Sequence, residues 1–363
     1  MHSLEDRAII KLGNSWKRPN FFPGRRLMDY EKLDNGENLT TPLPNDASNL
    51  AAWKRNQLLS EEMICIADRA GYRITFRRGA TDSSVLLISF GAANSGLSSS
   101  GFGSDFAKIM KYDHIYVAQK PDSQYQDLSI NDFYQAVAPF AKLYPNVVTY
   151  GSSLGAYCAI YYGGCVDAKI LASAPRNSAH PIIAHPKYKD LIYKHADIPK
   201  VPCSSKPPVI FVDPTMAVDM NFIHTMIEPV YPQLRTVEVE YAGHAVLGAI
   251  RELGILKRFI VSIIEDDVVQ DIAWGGKSNP TWLRERGRYY IDQEQWNLAE
   301  DSLLHSLQID FSSKTSYYMA NLLYRTDRHA ELSVFADEVK RKFGDLKCLS
   351  APVRKFLLEA SRS

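Results

Sequence analysis

Between Tyr72 and Trp274, seven short runs of β-branched and apolar residues alternate with stretches of helical period, and few architectures accept that alternation. The runs are YRITFRR, SVLLISF, HIYVAQ, NVVTY, AKILASA, PPVIFVD and RTVEVEYAG. Several are apolar almost throughout rather than on every second residue, as strands covered on both faces must be. Between them, INDFYQAVAPFAKLY and LGAYCAIYYGG have the length and period of helices that carry a right-handed crossover from one parallel strand to the next. The expectation for residues 72–274 is an α/β fold: a mostly parallel sheet with helices on both faces. The GGKSNP stretch after Trp274 is a Gly/Ser/Pro linker.

The flanks differ in texture. Residues 1–71 are rich in Asn, Pro, Gly and charge at first, and read as an extended arm with one helix over NLAAWKRNQLLSEEMICIADRAG. Beyond Pro280 the period is purely helical. Apolar or small residues recur about 33 positions apart there: Tyr290 with Leu323, Ala299 with Leu332, and Leu303 with Ala336. With its aromatic-and-Ala pattern, residues 280–363 resemble tetratricopeptide helix pairs. Fewer than three such repeats cannot close a core of their own, so the segment is expected to pack on the body or to serve protein contact or self-association.

Composition excludes several function classes. The 42 Lys and Arg and 41 Asp and Glu leave a formal charge of +1 with both signs interspersed, which is no electrostatic footprint for nucleic acid or an anionic membrane. The start, MHSLEDRAIIKLGNSW, lacks the apolar core of a signal peptide, and no run approaches the roughly 20 apolar residues that span a bilayer, so a cytoplasmic location is expected. Five cysteines, odd in number, widely spread and without a C-x-x-C pair, read as reduced thiols rather than as a disulfide framework or a zinc site. No cofactor or metal is expected.

The segment NVVTYGSSLGAYCAIYYGG carries the chemistry. Gly151-Ser152-Ser153-Leu154-Gly155 fits G-x-S-x-G, a strand-to-helix turn so tight that the residues flanking the serine must be small. A buried-strand run leads into it and a helical run with small Ala156 and Ala159 leads out, which would hold Ser153 Oγ above the carboxyl edge of the sheet. A serine hydroxyl is a poor nucleophile until a base takes its proton. Of the nine histidines, His244 is placed to do so, in a Gly-preceded turn directly after the last strand and at the same edge as the serine turn. The base needs a carboxylate behind it, and among those between Ser153 and His244 two are candidates, at the end of the strand PPVIFVD and just after it. Asp213 ends the strand PPVIFVD and is preferred; Asp219, expected to cap the following helix, is the alternative. Developing negative charge on a substrate oxygen would be met by the Leu154 amide and by a second amide from the loop GAANSGLSSSGFGS. Ala92 is the expected second donor, with Gly91 permitting the turn and Asn94 within reach.

Taken in order, YGSSLGAY, SFGAAN, VDPTMAVD and YAGHAVLG resemble the nucleophile turn, oxyanion loop, acid turn and histidine loop of the α/β-hydrolase superfamily over residues 72 to about 260. The sequence departs from the family pattern in two places: Phe90 stands where many members carry histidine, and Asp213-Pro214 replaces the usual acid turn. The resemblance implies a serine hydrolase that cleaves a carboxylic ester or thioester through a covalent acyl-enzyme. An acyltransferase with the same triad, acting for example on a glycan, and a non-catalytic binding module on the same scaffold are the alternatives. The segment APRNSAHPIIAHPKYKDLIYKHADIPKVPCSSKP stands where the family inserts its cap, and its surplus of Lys and Arg hints at an anionic small-molecule or glycan ester. All candidate site residues precede Glu265, so the C-terminal helices are expected to supply no catalytic group.

Overall fold

In a computed structural model the chain is described over residues 63–80 and 82–360. Its sheet has eight strands: β1 (Met63–Asp68), β2 (Tyr72–Arg77), β3 (Val85–Phe90), β4 (Asp113–Gln119), β5 (Asn146–Ser152), β6 (Lys169–Ser173), β7 (Val209–Val212) and β8 (Arg235–Glu238). Their spatial order is β1-β2-β4-β3-β5-β6-β7-β8. The pairs β1/β2 and β2/β4 are antiparallel and every other neighbour is parallel. The seven expected runs all lie in this sheet. The exception is at its start: the helix expected over residues 49–71 gives way, from Met63 onward, to edge strand β1, while residues 49–62 of that expectation lie outside the described residues. MICIAD satisfies its backbone by pairing with β2, and its half-buried pattern is that of an edge.

The central strands explain why the runs are apolar on both sides. Leu86, Ile88 and Phe90 of β3 enter one core with α2 (Ile130–Ala141) and α3 (Leu154–Gly163), while Val85 and Leu87 face the other with α1 (Ser104–Met110), α5 (Val246–Glu252) and α6 (Leu256–Asp266). Each such side chain contributes about 1.5–3 kcal/mol relative to exposure, which holds β3 and β5 at the centre of the sheet. The short helix α4 (Ala217–Phe222) follows β7 and runs on through a π turn to Ile227. Five further helices close the chain: α7 (Pro280–Asp292), α8 (Trp296–Ile309), α9 (Ser313–Arg325), α10 (His329–Phe343) and α11 (Ala351–Ala360). They share a third core that includes Ile291, Ala299, Leu303, Leu323 and Leu332. Tyr290 and Leu323 lie on α7 and α9, and Ala299 and Leu332 on α8 and α10. All five cysteines are free thiols. Among the described residues no helix is long and apolar enough to cross a membrane.

Candidate active site

Ser153 sits between β5 and α3 with φ 56 and ψ −118, a conformation that a non-glycine residue adopts only when its surroundings enforce it. The flanking glycines allow the turn. A β-carbon on Gly151 would stand 2.1 Å from the Gly155 carbonyl, and one on Gly155 would stand 2.7 Å from the Phe90 carbonyl oxygen. Close approach at Gly155 therefore brings the end of β3 against the start of α3. The Ser153 amide donates to the Ser173 carbonyl at 2.8 Å, which ties the turn to β6.

His244 lies in the loop between β8 and α5. Its Nε2 is 2.8 Å from Ser153 Oγ and its Nδ1 is 2.7 Å from Asp219 Oδ2. The Asp219 side chain is 1% exposed and the His244 side chain 26%. Asp219 is not the cap of α4; Met216 holds that position, and Asp219 lies in the first turn, pointed at the histidine. A hydroxyl, an imidazole and a carboxylate joined in this sequence can move a proton from Oγ to Nε2 while the carboxylate holds the tautomer with Nδ1 protonated.

Of the two candidate acids, the preferred Asp213 does not contact the imidazole and the alternative Asp219 does. Asp213 is buried, and its Oδ1 accepts from the Thr215 amide at 2.9 Å, the Thr215 hydroxyl at 2.8 Å and the Tyr241 amide at 3.1 Å. Its Oδ2 accepts from the Gly243 amide at 2.7 Å. With four donors on its two oxygens, Asp213 anchors the histidine loop to β7 instead of reaching the imidazole.

Sequence reasoning counted Arg176 only among the cap's cations. Its Nη1 lies 3.2 Å from Asp219 Oδ1, and its amide donates to the Ser153 carbonyl at 3.3 Å. Both oxygens of Asp219 are thus engaged, one by the imidazole and one by the guanidinium. Three of the cap segment's five lysines pair with carboxylates: Lys187 with Asp122 at 2.5 Å, Lys194 with Asp127 at 3.1 Å and Lys200 with Asp197 at 2.7 Å. These are solvated surface pairs, and Lys206 donates to the Asp167 backbone carbonyl at 2.8 Å. The cap is seated on α3 by His195, whose ring stacks on Tyr161 at 4.4 Å and whose Nδ1 is 3.0 Å from the Tyr157 hydroxyl; burial pushes its pKa down to about 4.

Of the two expected oxyanion donors, Leu154 directly follows the serine and Ala92 lies in the loop after β3. Leu154 is the first residue of α3, so its amide is free of the helical ladder, and among the described residues neither it nor the Ala92 amide donates to a protein group. Two residues that the sequence did not single out hold the Ala92 loop. Gln119 Nε2 donates to the Ala92 carbonyl at 2.9 Å, alongside the Ser95 amide at 3.0 Å. The Tyr125 hydroxyl accepts from the Gly91 amide at 2.7 Å and donates to the Val117 carbonyl at 2.8 Å. Tyr125 is buried, in left-handed backbone at φ 58, and burial raises its phenol pKa, so it stays protonated. Asn94 is exposed, and Phe90 fills the histidine position of the family pattern by stacking on Phe133 and Tyr162. Among the described residues no group of three His, Cys, Asp or Glu side chains could hold a metal ion.

No protein-family model matches the chain, and neither does any curated protein. Solved structures do match. Capsule O-acetyltransferase of Neisseria meningitidis serogroup A is 14% identical, with a TM-score of 0.41 over 56% of this chain and 94% of its own. Est1E from Butyrivibrio proteoclasticus, solved with ferulic acid, is 11% identical, with a TM-score of 0.36 over 55% of this chain and 98% of its own. Dienelactone hydrolase from Anabaena variabilis is 11% identical, with a TM-score of 0.37 over 58% of this chain and 99% of its own. In strand order and sense, the sheet of this chain is that of the α/β-hydrolase fold, with helices added at its C-terminal end.

Proposed function

We propose that the chain is a serine hydrolase that cleaves a carboxylic ester or thioester through an acyl-enzyme on Ser153, with His244 as general base and acid and Asp219 as the orienting carboxylate. The observation that carries this reading is the unbroken path Ser153 Oγ, His244 Nε2, His244 Nδ1, Asp219 Oδ2, with contacts of 2.8 and 2.7 Å, set on a strained turn. In the first half-reaction Oγ attacks the acyl carbon as its proton passes to Nε2. The tetrahedral oxyanion is held by the Leu154 and Ala92 amides, and Nε2 returns the proton to the departing oxygen or sulfur. In the second, water enters, His244 removes its proton, and the acyl group leaves as the acid. Asp219 stabilises the imidazolium formed in each half, and Arg176 keeps that carboxylate in place.

The test is turnover of a small activated ester, p-nitrophenyl acetate, by wild type, Ser153→Ala and the neighbouring control Ser152→Ala. Burst release of p-nitrophenol followed by slower turnover is expected of wild type and of the control, and neither phase of Ser153→Ala. Equal turnover by Ser153→Ala would refute the reading. Product analysis with added alcohols and sugars then shows whether water or a hydroxyl acceptor receives the acyl group.

A further inference from the structure

Helix α7 has two working faces. Ile291 is buried in the helical core shared with α8, and Leu283 is buried as well. Trp282, Glu285 and Tyr289, at spacings i, i+3 and i+7, form a second stripe. That stripe lies on the histidine loop. The Tyr241 ring meets Trp282 edge-on with centroids 5.4 Å apart and Tyr289 at 5.7 Å. A β-carbon on Gly243 would stand 2.8 Å from Glu285 Oε2, so the carboxylate lies against the bare face of the residue that precedes His244. Glu285 is itself fixed by the Arg284 and Arg288 guanidinium groups at 3.1 and 3.0 Å and is 12% exposed.

The loop needs such a constraint. Tyr241 is in left-handed backbone at φ 58, which a non-glycine residue holds only where contacts over-determine it, and Gly243, at φ 69, supplies the second left-handed position that glycine takes without strain. Asp213 supplies one clamp, through the Tyr241 and Gly243 amides. The α7 stripe supplies the other, through the Tyr241 ring and the face of Gly243. Between the two clamps the direction of the His244 side chain is set.

We propose that Trp282, Glu285 and Tyr289 are positioning residues of the active site, through which the C-terminal helical array holds His244 in line with Ser153. This rests on the serine-hydrolase reading, and it gives the C-terminal helices a part in the chemistry although they contribute no reacting group.

The test uses the full chain: wild type, Trp282→Ala/Tyr289→Ala, Tyr289→Phe and Leu332→Ala, the last opening a cavity in the helical core away from the loop. Three readouts are taken: the rate of fluorophosphonate labelling at Ser153, kcat and KM for p-nitrophenyl acetate, and hydrogen exchange at the Tyr241 and Gly243 amides. The double variant is expected to label about 10- to 100-fold more slowly, with kcat lowered and KM little changed, because small misplacements of a catalytic group cost about that much. Its two loop amides should exchange faster. Tyr289→Phe retains the ring and most of the rate. Leu332→Ala loses stability yet labels at the wild-type rate. A folded double variant with unchanged labelling and exchange would overturn the proposal, as would Leu332→Ala slowing the chemistry equally. If the double variant folds poorly, Glu285→Ala, which removes the carboxylate from Gly243, is judged by the same readouts. Failure of wild type to label at Ser153 would refute the hydrolase reading instead. Exchange at Tyr241 and Gly243 would still decide the clamp, faster exchange in the variant supporting it and unchanged exchange refuting it.

Discussion

Two serine–histidine pairs stand on neighbouring strands of this sheet at the same separation. Ser89 Oγ, on β3, is 2.8 Å from His114 Nε2; Ser153 Oγ, after β5, is 2.8 Å from His244 Nε2. Distance does not tell them apart, but their surroundings do. Ser89 is fully buried in ordinary strand, and its hydroxyl proton is committed to the Phe102 carbonyl at 2.5 Å, so His114 must donate to it. No carboxylate is hydrogen-bonded to His114 among the described residues, and burial drives its pKa down to about 3. Ser153 stands at the sheet edge in strained backbone, and its histidine is backed by a buried aspartate. The first pair satisfies polar groups inside a core. The second keeps a proton available to move.

The largest expected difference between the pairs is in turnover. Ser153→Ala should lower hydrolysis of an activated ester by about 10⁵- to 10⁶-fold with melting temperature nearly unchanged. Ser89→Ala should leave turnover near wild type but cost about 1–3 kcal/mol of stability by stripping the Phe102 carbonyl and the His114 donor of their partner. Inactivation by Ser89→Ala in a folded protein would break the comparison.

Next is the acid. Asp219→Asn should lower kcat by about 10⁴-fold in a folded protein, as loss of the orienting carboxylate does. Asp213→Asn presents an amide to backbone donors and should chiefly lower the melting temperature, with a smaller loss of kcat as the histidine loop loosens. A folded, active Asp219→Asn enzyme beside an inactive, equally stable Asp213→Asn enzyme would restore the original preference.

The buried histidine makes the contrast visible in acid. His114 stays neutral in the fold down to about pH 3, while in the unfolded chain it takes a proton near pH 6.5. The unfolded state binds the extra proton between those values, so stability is flat above about pH 6.5 and falls below it, by on the order of 5 kcal/mol if nothing else titrates. His195, at about 4, adds in the same direction. His114→Gln should be less stable than wild type at pH 7 yet show a shallower decline in melting temperature from pH 6.5 to 4. Parallel declines would refute that assignment. Smallest is the effect at the Ala92 loop: Tyr125→Phe leaves the Gly91 amide only its longer bond to the Val117 carbonyl at 3.2 Å and should lower kcat about 10-fold, less than the roughly 10²- to 10³-fold lost when an oxyanion donor is removed outright. KM should change little.

Much of this was legible before any coordinates. Alternation of apolar runs with helical segments gave the central and C-terminal strands, because a strand such as VLLISF, buried on both faces, leaves its mark on every residue. MICIAD was misread as helix because an edge strand is buried on one side only and its pairing with β2 is not a local property. Ser153 and His244 were placed by turn chemistry and strand-end topology, which are local. The carboxylate was not, since Asp213 and Asp219 are six residues apart and differ only in where a short helix turn aims one of them. The roles of Arg176, Gln119 and Tyr125 depend on contacts between loops far apart in sequence, such as Tyr125 with Gly91. Glu285 against Gly243 is the same case, between a helix and a loop with no shared pattern.

The account turns on Ser153, and not Ser89, being the serine whose proton can leave. The direct measurement is reaction of the intact protein with a fluorophosphonate, followed by digestion and mass spectrometry of the serine-containing peptides. The account predicts a single adduct on the peptide that contains Ser153, abolished by Ser153→Ala and retained in Ser89→Ala. An adduct on another serine, or none in a protein whose fold is intact, would contradict it.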